Sequence, residues 1–425
     1  MAASPPPTSI WARIFPFTGL AKKNLKAFSL AAACNDTGEE SYAPYLPLFA
    51  QAFLGMNPEQ YGLVDSIGEA TNRILRFFTG VLTDRVGRKR PVILGYILIV
   101  LSRIGLASVH HWGWLIPFRA LRQLGRTIRN PAREASIADS IPPALRGKAF
   151  GLLEAVDTAG AIVGPLLGIF LLSFFSYHGL RLGVSYSEAS YRALFWCAAI
   201  PTVFSVLLIA VLLQETLPAT ARDLSPAPPL ISGLRFFLKS RSLVLLTLSN
   251  MILAIAAPPM GMVLFYLYRL PQGSAMLGTL VFTLFSLVHF LSAYPAGMVA
   301  DRMGRKKALL IADLAILIAL LCLMIIPNAY WMALPAILLG FFESFWIASR
   351  RAIIADLAPL EARGQTLGTF STAYGLTSLL SPLFVGALWH RFSPQVAFGS
   401  CALLCVLSTA FLLWGFSEKR PPASS

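Results

Sequence analysis

Apolar residues run along this chain in twelve long stretches, each parted from the next by a few polar positions. They lie near 25–50, 59–82, 91–110, 113–135, 148–174 and 191–213, then near 243–267, 276–299, 307–327, 330–354, 365–389 and 394–416. Each is about 20 residues or longer, the length a helix needs to cross the hydrocarbon of a bilayer. Most of the intervening turns are short and marked by Gly, Pro or charge. The one long polar connector, Glu215 to Arg241, holds Pro218, Pro226, Pro228 and Pro229. The pattern predicts an all-α membrane protein with a tail over 1–24, a six-helix bundle over 25–214, a linker over 215–242, a second six-helix bundle over 243–416 and a tail over 417–425.

Composition agrees with the pattern. Of 425 residues, 56% are hydrophobic and 13% charged, where a soluble domain carries about a quarter charged residues. The net charge of +15 invites a nucleic-acid partner, but its placement excludes one. Lys and Arg gather before span 1, at Arg85 to Arg90, at Arg146 and Lys148, at Arg222 to Arg241, at Arg302 to Lys307 and at Arg350 to Arg363. Every cluster is a terminus or an even-numbered connection, so these face the cytoplasm and both termini do as well. The five cysteines, Cys34, Cys197, Cys322, Cys401 and Cys405, all lie in apolar runs without metal-ligand spacing. The Pro-rich, basic start of the chain has no small-residue cleavage site ahead of the first apolar run.

The stretch Gly80-Val-Leu-Thr-Asp84-Arg85-Val-Gly87-Arg88-Lys89-Arg90 returns 217 residues later as Gly297-Met-Val-Ala-Asp301-Arg302-Met-Gly304-Arg305-Lys306-Lys307. The same offset pairs Arg133 with Arg350, Asp139 with Asp356, Arg146 with Arg363 and Pro165 with Pro382. A register held that long marks one structural unit used twice. Six spans separate the copies, so the bundles are parallel repeats about the membrane normal. The doubled motif resembles the signature loop of the major facilitator superfamily, the twelve-helix secondary transporters. The resemblance implies the major facilitator fold, and a cytoplasmic latch between bundles made by Asp84, Arg88 and Asp139 and by Asp301, Arg305 and Asp356. If the helix continued past Asp84, that carboxylate and Arg88 would share one face. A plain topological anchor is the other reading of the loop.

The first half carries ionisable residues where lipid-spanning helices should have none. A charge at mid-bilayer costs about 2.5–3.5 kcal/mol on insertion scales, so each must turn inward and find a partner. Span 1 has Asp36, Glu39 and Glu40; span 2 has Asp65, Glu69, Arg73 and Arg76 as a stripe. Span 4 has Arg119, Arg122, Arg126, Arg129 and Arg133 at spacings of three and four, and span 5 adds Glu154 and Asp157. Two readings stand: an ion-pair lattice joining spans 1, 2, 4 and 5, or a wet cavity in which carboxylates carry protons and arginines hold a solute. Neighbouring carboxylates hold protons more readily than isolated ones. The candidate proton carriers are Asp36 and Glu40, then Glu69 and Asp157. Glu39, Arg73, Arg119, Arg122, Arg126, Arg129, Glu154 and Glu343 are the candidate cavity residues. The second half has only Asn250, His289, Asp313 and Glu343 as polar interior candidates, which places ion coupling in the first bundle. Aromatic surface (Phe265, Tyr266, Phe341, Phe342, Trp346 and Tyr374) is the second bundle's expected share.

Span 5 also contains Gly160-Ala-Ile-Val-Gly164-Pro165-Leu-Leu-Gly168. It resembles the G-x-x-x-G-P-x-x-G motif of the superfamily's proton-coupled antiporters, which implies close helix approach and a bend; a packing motif alone is the plainer reading. Asp36 to Pro47 and Gly125 to Ala135 look like a bacterial facilitator branch that includes magnetosome-membrane proteins, from which Arg122, Glu154, Gly38-Glu39 and Thr127 depart. Iron would need converging oxygen and nitrogen ligands, and the five histidines do not cluster near span 1. No nucleotide-binding loop and no Ser/His/Asp or Cys/His set is present, so neither ATP nor catalysis is expected, and no cofactor or metal. The expectation is an inner-membrane, monomeric secondary transporter moving a small solute, with protons and the lipid bilayer as partners and export as the direction; an intracellular membrane remains open as its site. Iron or organic-anion uptake, and a non-transporting sensor or scaffold, are the alternatives.

Overall fold

The computed structural model describes residues 19–142, 145–176, 186–216, 240–357 and 363–415, with the side chains of 76–85, 146–147, 351–352, 355–356, 363–365, 367–368 and 415 outside that description. The tail over 1–18, most of the linker and the C-terminal tail also lie outside it.

Twelve helical rods follow one another through the described chain. In the first half they are Gly19–Tyr42 continued by Leu46–Ala52, then Pro58–Val86, Lys89–Ala107, Leu115–Ser140, Arg146–Phe175 and Glu188–Leu212. In the second they are Arg241–Ala256 continued by Met260–Leu267, then Ala275–Met303, Arg305–Ile325, Ala333–Leu357, Arg363–Ser378 continued by Leu380–Arg391, and Pro394–Gly415. We number these spans 1 to 12. Among the described residues nine stretches are long and apolar enough to cross a membrane by length and composition. Spans 1, 2 and 4 are the rods left out, and they carry the acidic and basic stripes. Charge lowers their hydropathy without shortening the helices, so the apolar test and the helix count diverge where the chemistry is concentrated.

Local signals set the ends. Asn57 caps span 2, its side-chain oxygen accepting from the Gln60 amide while the Gln60 side chain accepts from the Asn57 amide, and Pro58 follows where a missing N–H costs nothing. Span 2 stops at Val86 because Gly87 takes φ 99°, and Gly304 takes φ 95° at the equivalent turn. The helix therefore does not continue from Asp84 to Arg88, and the shared face expected for that pair is not formed. Span 7 breaks at Ala257 because Pro258 and Pro259 supply no amide hydrogens. Span 11 breaks beside it at Leu379, and Ser381 Oγ ties the two breaks together by donating to the Ala257 carbonyl at 2.7 Å.

Within the first bundle span 1 packs on spans 5 and 6, and span 4 on spans 2 and 3. In the second, span 10 packs on spans 8 and 9, and span 7 on span 12. The bundles meet through span 2 against the second half of span 11, span 5 against span 8, and the ends of spans 1 and 7. The closest of these contacts lie at the end away from the basic turns. There Tyr268 Oη donates to the Pro44 carbonyl at 2.7 Å, Tyr45 Oη shares a hydrogen with Thr279 Oγ1 at 2.6 Å, and the rings of Tyr61 and Phe265 stand 5.0 Å apart.

Candidate functional site

The acids of span 1 and the arginines of span 4 point into the first bundle, as their cost in lipid demands. Glu39, 6% exposed, sits between two guanidinium groups. Arg103 Nη2 donates to its Oε2 at 2.8 Å and Arg122 Nη1 donates to its Oε1. Arg103 also donates to the carbonyls of Asn35 and Ala198 and to Thr202 Oγ1, so one side chain fastens spans 1, 3 and 6. Arg119 donates to Asp65, and Arg133 Nη2 to Asp157 Oδ2 at 3.1 Å. These pairs form the lattice.

Other charges stand apart from it. Glu40 and Arg126 make no ion pair among the described residues, though each lies in the other's field. Asp36 accepts a hydrogen bond from its neighbour Asn35 at 2.7 Å, within the fields of Arg129 and Arg133. Arg129, 4% exposed, lies over the Tyr96 ring at 4.8 Å and donates from Nε to Asn130, with Nη1 unpartnered. Glu154 is exposed and enters no ion pair among the described residues.

The span-5 motif explains where these free charges sit. A methyl group placed on Gly160 would stand 2.9 Å from Asp36 Cβ, and one on Gly164 2.6 Å from Glu40 Cβ. One on Gly168 would strike the Ser41 carbonyl oxygen. The glycines thus form a groove that holds span 1 at its acids, and Tyr45 Oη donates to the Pro165 carbonyl at 2.9 Å. Tyr45 is also the residue that reaches Thr279 across the seam.

A cavity of about 330 Å³ lies between the bundles, lined on the first side by Asp65, Glu69 and Arg73 of span 2 and on the second by spans 7 to 11. Glu69 accepts from Gln123 Nε2 at 2.6 Å and lies 3.9 Å from Arg73 Nε. Across from it stand Glu343, Trp346, Phe342, Phe285 and Tyr374. The Trp346 indole N–H donates to Asn250 Oδ1 at 3.0 Å, and Arg350 lies 3.7 Å from the centre of its ring, so the ring is held from its edge and one face. Phe265 and Tyr266, by contrast, are buried away from the cavity against Trp389, Phe265 also meeting Tyr61 across the seam.

At the basic turns Arg88 Nε donates to Asp139 at 3.2 Å, and Arg305 lies 4.0 Å from Asp301. Each pair lies within its own bundle. The side chains of Asp84 and Asp356 are outside the described residues. The Glu215 carboxylate accepts from the backbone amides of Arg88 and Lys89, closing the N-terminus of span 3.

Two six-helix halves around a charged central cavity make a transporter architecture, and the sequence profile of the Major Facilitator Superfamily matches residues 28–279 and 268–425. This chain belongs to the major facilitator superfamily. It is a secondary transporter, not an enzyme. Among its relatives an uncharacterised MFS-type transporter of Methanocaldococcus jannaschii is 26% identical over 403 residues, covering 92% of this chain and 94% of the relative. The multidrug resistance efflux pump PmrA of Streptococcus pneumoniae is 24% identical, over 88% of this chain and 91% of its own length. The multidrug resistance protein MdtG of Salmonella paratyphi B is 24% identical over 94% and 96%. The fold is matched by an inward-facing bacterial homolog of the human lysosomal transporter Spinster (TM-score 0.74, 16% identity, 94% and 97% covered). The nucleoside transporter NupG matches it too (TM-score 0.75, 13% identity, 93% and 100% covered).

Sequence reasoning about this facilitator missed Arg103 and underweighted Asp65. Arg103 is the lone charge in the otherwise apolar core of span 3, and the rule that such a residue must have a partner would have found it. The partnership of Asp65 with Arg119 depends on how spans 2 and 4 cross, which no spacing within one span reveals.

Proposed function

We propose that this facilitator exports small organic cations with apolar bodies in exchange for protons, loading them from the side of the basic turns. The observation that carries this reading is the seam cavity. Its volume falls in the range of about 300–1,000 Å³ usual for small-molecule sites. Carboxylates on opposite walls, Glu69 and Glu343, attract a cation, and Trp346, Tyr374, Phe342 and Phe285 offer ring faces to it and to its apolar body. The printed names of PmrA and MdtG support drug-like solutes. Among the described residues no three His, Cys, Asp or Glu gather as metal ligands, which favours an organic solute over iron.

A carboxylate that binds a cation when ionised and releases it when protonated couples the two flows without further machinery. Glu69 occupies that position. Glu40 and Asp36, outside the salt-bridge lattice and packed on the Gly160–Gly168 groove, hand protons between the far side and the seam. Glu39 and Asp157, each bound to arginine, keep the bundle's shape instead. When the far end opens, the turn residues Arg88, Asp139, Asp301 and Arg305, with Asp84 and Asp356, exchange their partners within each bundle for partners across the seam and hold the basic side shut. The transporter works as a monomer in the cytoplasmic membrane.

Proteoliposomes holding the full chain and a trapped pH dye test this. Tetraphenylphosphonium added to the wild type is expected to move protons, and Glu69→Gln and Asp36→Asn to abolish the movement. Absence of proton flux with tetraphenylphosphonium, ethidium and a panel of organic anions would favour a scaffold instead.

A further inference from the structure

Glu343, Trp346 and Arg350 are three and four residues apart on span 10, so they stack along one stripe of the helix with the indole in the middle. Glu343 and Trp346 line the seam cavity. Arg350 is not among the described residues that line it, and stands behind the aromatic wall instead. Its guanidinium carbon is 3.7 Å from the centre of the Trp346 ring, 4.7 Å from that of Tyr374 and 5.4 Å from that of Phe370. Three rings thus box in one cation, and two of them, Trp346 and Tyr374, also border the solute space.

The box is fixed. The Trp346 indole is 5% exposed and tied at its edge to Asn250, and Phe370 is buried, so neither ring turns to present a different face. The rings' negative faces attract cations, but here that attraction is already partly taken by Arg350. A solute cation held within about 6 Å of the Trp346 centre from the cavity side lies within about 10 Å of the guanidinium, a Debye length in 0.1 M salt, with rings rather than salt water between them. The repulsion grows with the charge on the solute, whereas the apolar contact with the rings does not. Arg73, the other guanidinium at the cavity, stands on the opposite wall with the Glu69 carboxylate 3.9 Å away to offset it.

We propose that Arg350 is a specificity-determining residue that sets the charge the cavity accepts. Its fixed cation behind the wall offsets part of the pull of Glu69 and Glu343. Singly charged aromatic solutes are then held loosely enough to leave, doubly charged ones are disfavoured, and neutral ones are unaffected. This rests on the cation-transport reading above, so the test separates binding from flux.

Three probes of one ring system are titrated into the full chain in nanodiscs of zwitterionic lipid: ethidium, a monocation; propidium, a dication; and neutral phenanthridine. The dyes are read by their fluorescence, and phenanthridine by its displacement of ethidium. Arg350→Gln is expected to tighten ethidium about tenfold and propidium by a larger factor, and to leave phenanthridine within about twofold of wild type. Arg350→Met, which fills the box without a charge, should repeat this order even if Gln disturbs the packing. Arg350→Lys, which keeps the charge, should stay close to wild type. Dye affinities unchanged in both neutral variants, or one common shift for all three probes, would overturn the proposal, the latter marking Arg350 as packing alone. Charge-ordered gains without proton flux in any form would uphold Arg350 and sink the exchange reading alone. Wild-type flux without charge-ordered gains would sink the Arg350 proposal alone.

Discussion

Two adjacent residues of span 1 do different work. Glu39 is enclosed by Arg103 and Arg122, and its removal leaves two buried guanidinium groups facing each other. Breaking a buried pair by removing one partner costs about 3–5 kcal/mol. Glu39→Gln is accordingly expected to lower the thermal unfolding midpoint in detergent strongly, whereas Glu40→Gln, which breaks no ion pair, should leave that midpoint near wild type and suppress proton flux. Equal destabilisation of both variants would contradict the division between lattice and carrier. The sequence shows that span 1 is acidic but not which acid is which. Adjacent positions on a helix differ by about 100° in direction, and only the crossing of spans 1, 3 and 4 decides which of them meets arginine.

At the scale of the element, the Gly160–Gly168 stripe was legible as a place of close approach, and the structure supplies what approaches. A methyl at Gly164 collides with Glu40 and one at Gly168 with Ser41, while one at Gly151, nearer the start of the same helix, meets open space. Overpacking of this kind costs about 1–3 kcal/mol. Gly164→Ala should reduce thermal stability and proton flux together, with Gly151→Ala as the silent comparison; loss of flux in both would show that the stripe is not special. Other element-scale readings needed correction. The turn after Asp84 is legible as Gly-rich, yet its positive φ at Gly87 is what parts Asp84 from the Arg88 face, and a continued-helix reading could not anticipate it. The breaks in spans 7 and 11 were within reach of sequence, at Pro258-Pro259 and at Pro382, which has no amide hydrogen for the Ser378 carbonyl four residues back; the tie between the two breaks through Ser381 was not.

For the whole molecule, the doubled motif and its constant offset carried the architecture, because a parallel repeat fixes which spans correspond. The cavity was less accessible. Its aromatic wall was anticipated for Phe342, Trp346 and Tyr374, but Glu69, Glu343 and Phe285 converge only because spans 2, 8 and 10 line one seam. The closed end of that seam is held by tyrosine hydroxyls. Removing one hydrogen bond there is worth about 1 kcal/mol, or roughly a fivefold change in population. Tyr268→Phe, which deletes the hydrogen given to Pro44, is expected to expose the far end. Labelling of a cysteine placed at Ser66, buried on span 2 and close to cysteine in size, in a background freed of the native thiols, would rise several-fold; unchanged labelling would remove Tyr268 from the closing contacts.

The mutual dependence of spans 1, 2 and 4 bears on how the chain enters a membrane at all. A segment that is too polar to partition alone gains its counter-ions only when later segments have been synthesised, since Glu39 on span 1 waits for Arg103 and Arg122, and Asp65 on span 2 for Arg119. Early segments would then linger beside the translocon until the ribosome delivers span 4. A nascent chain cut after Ala107 should leave its first two segments accessible to protease or to glycosylation on the wrong side, and one extended past Ser140 should protect them.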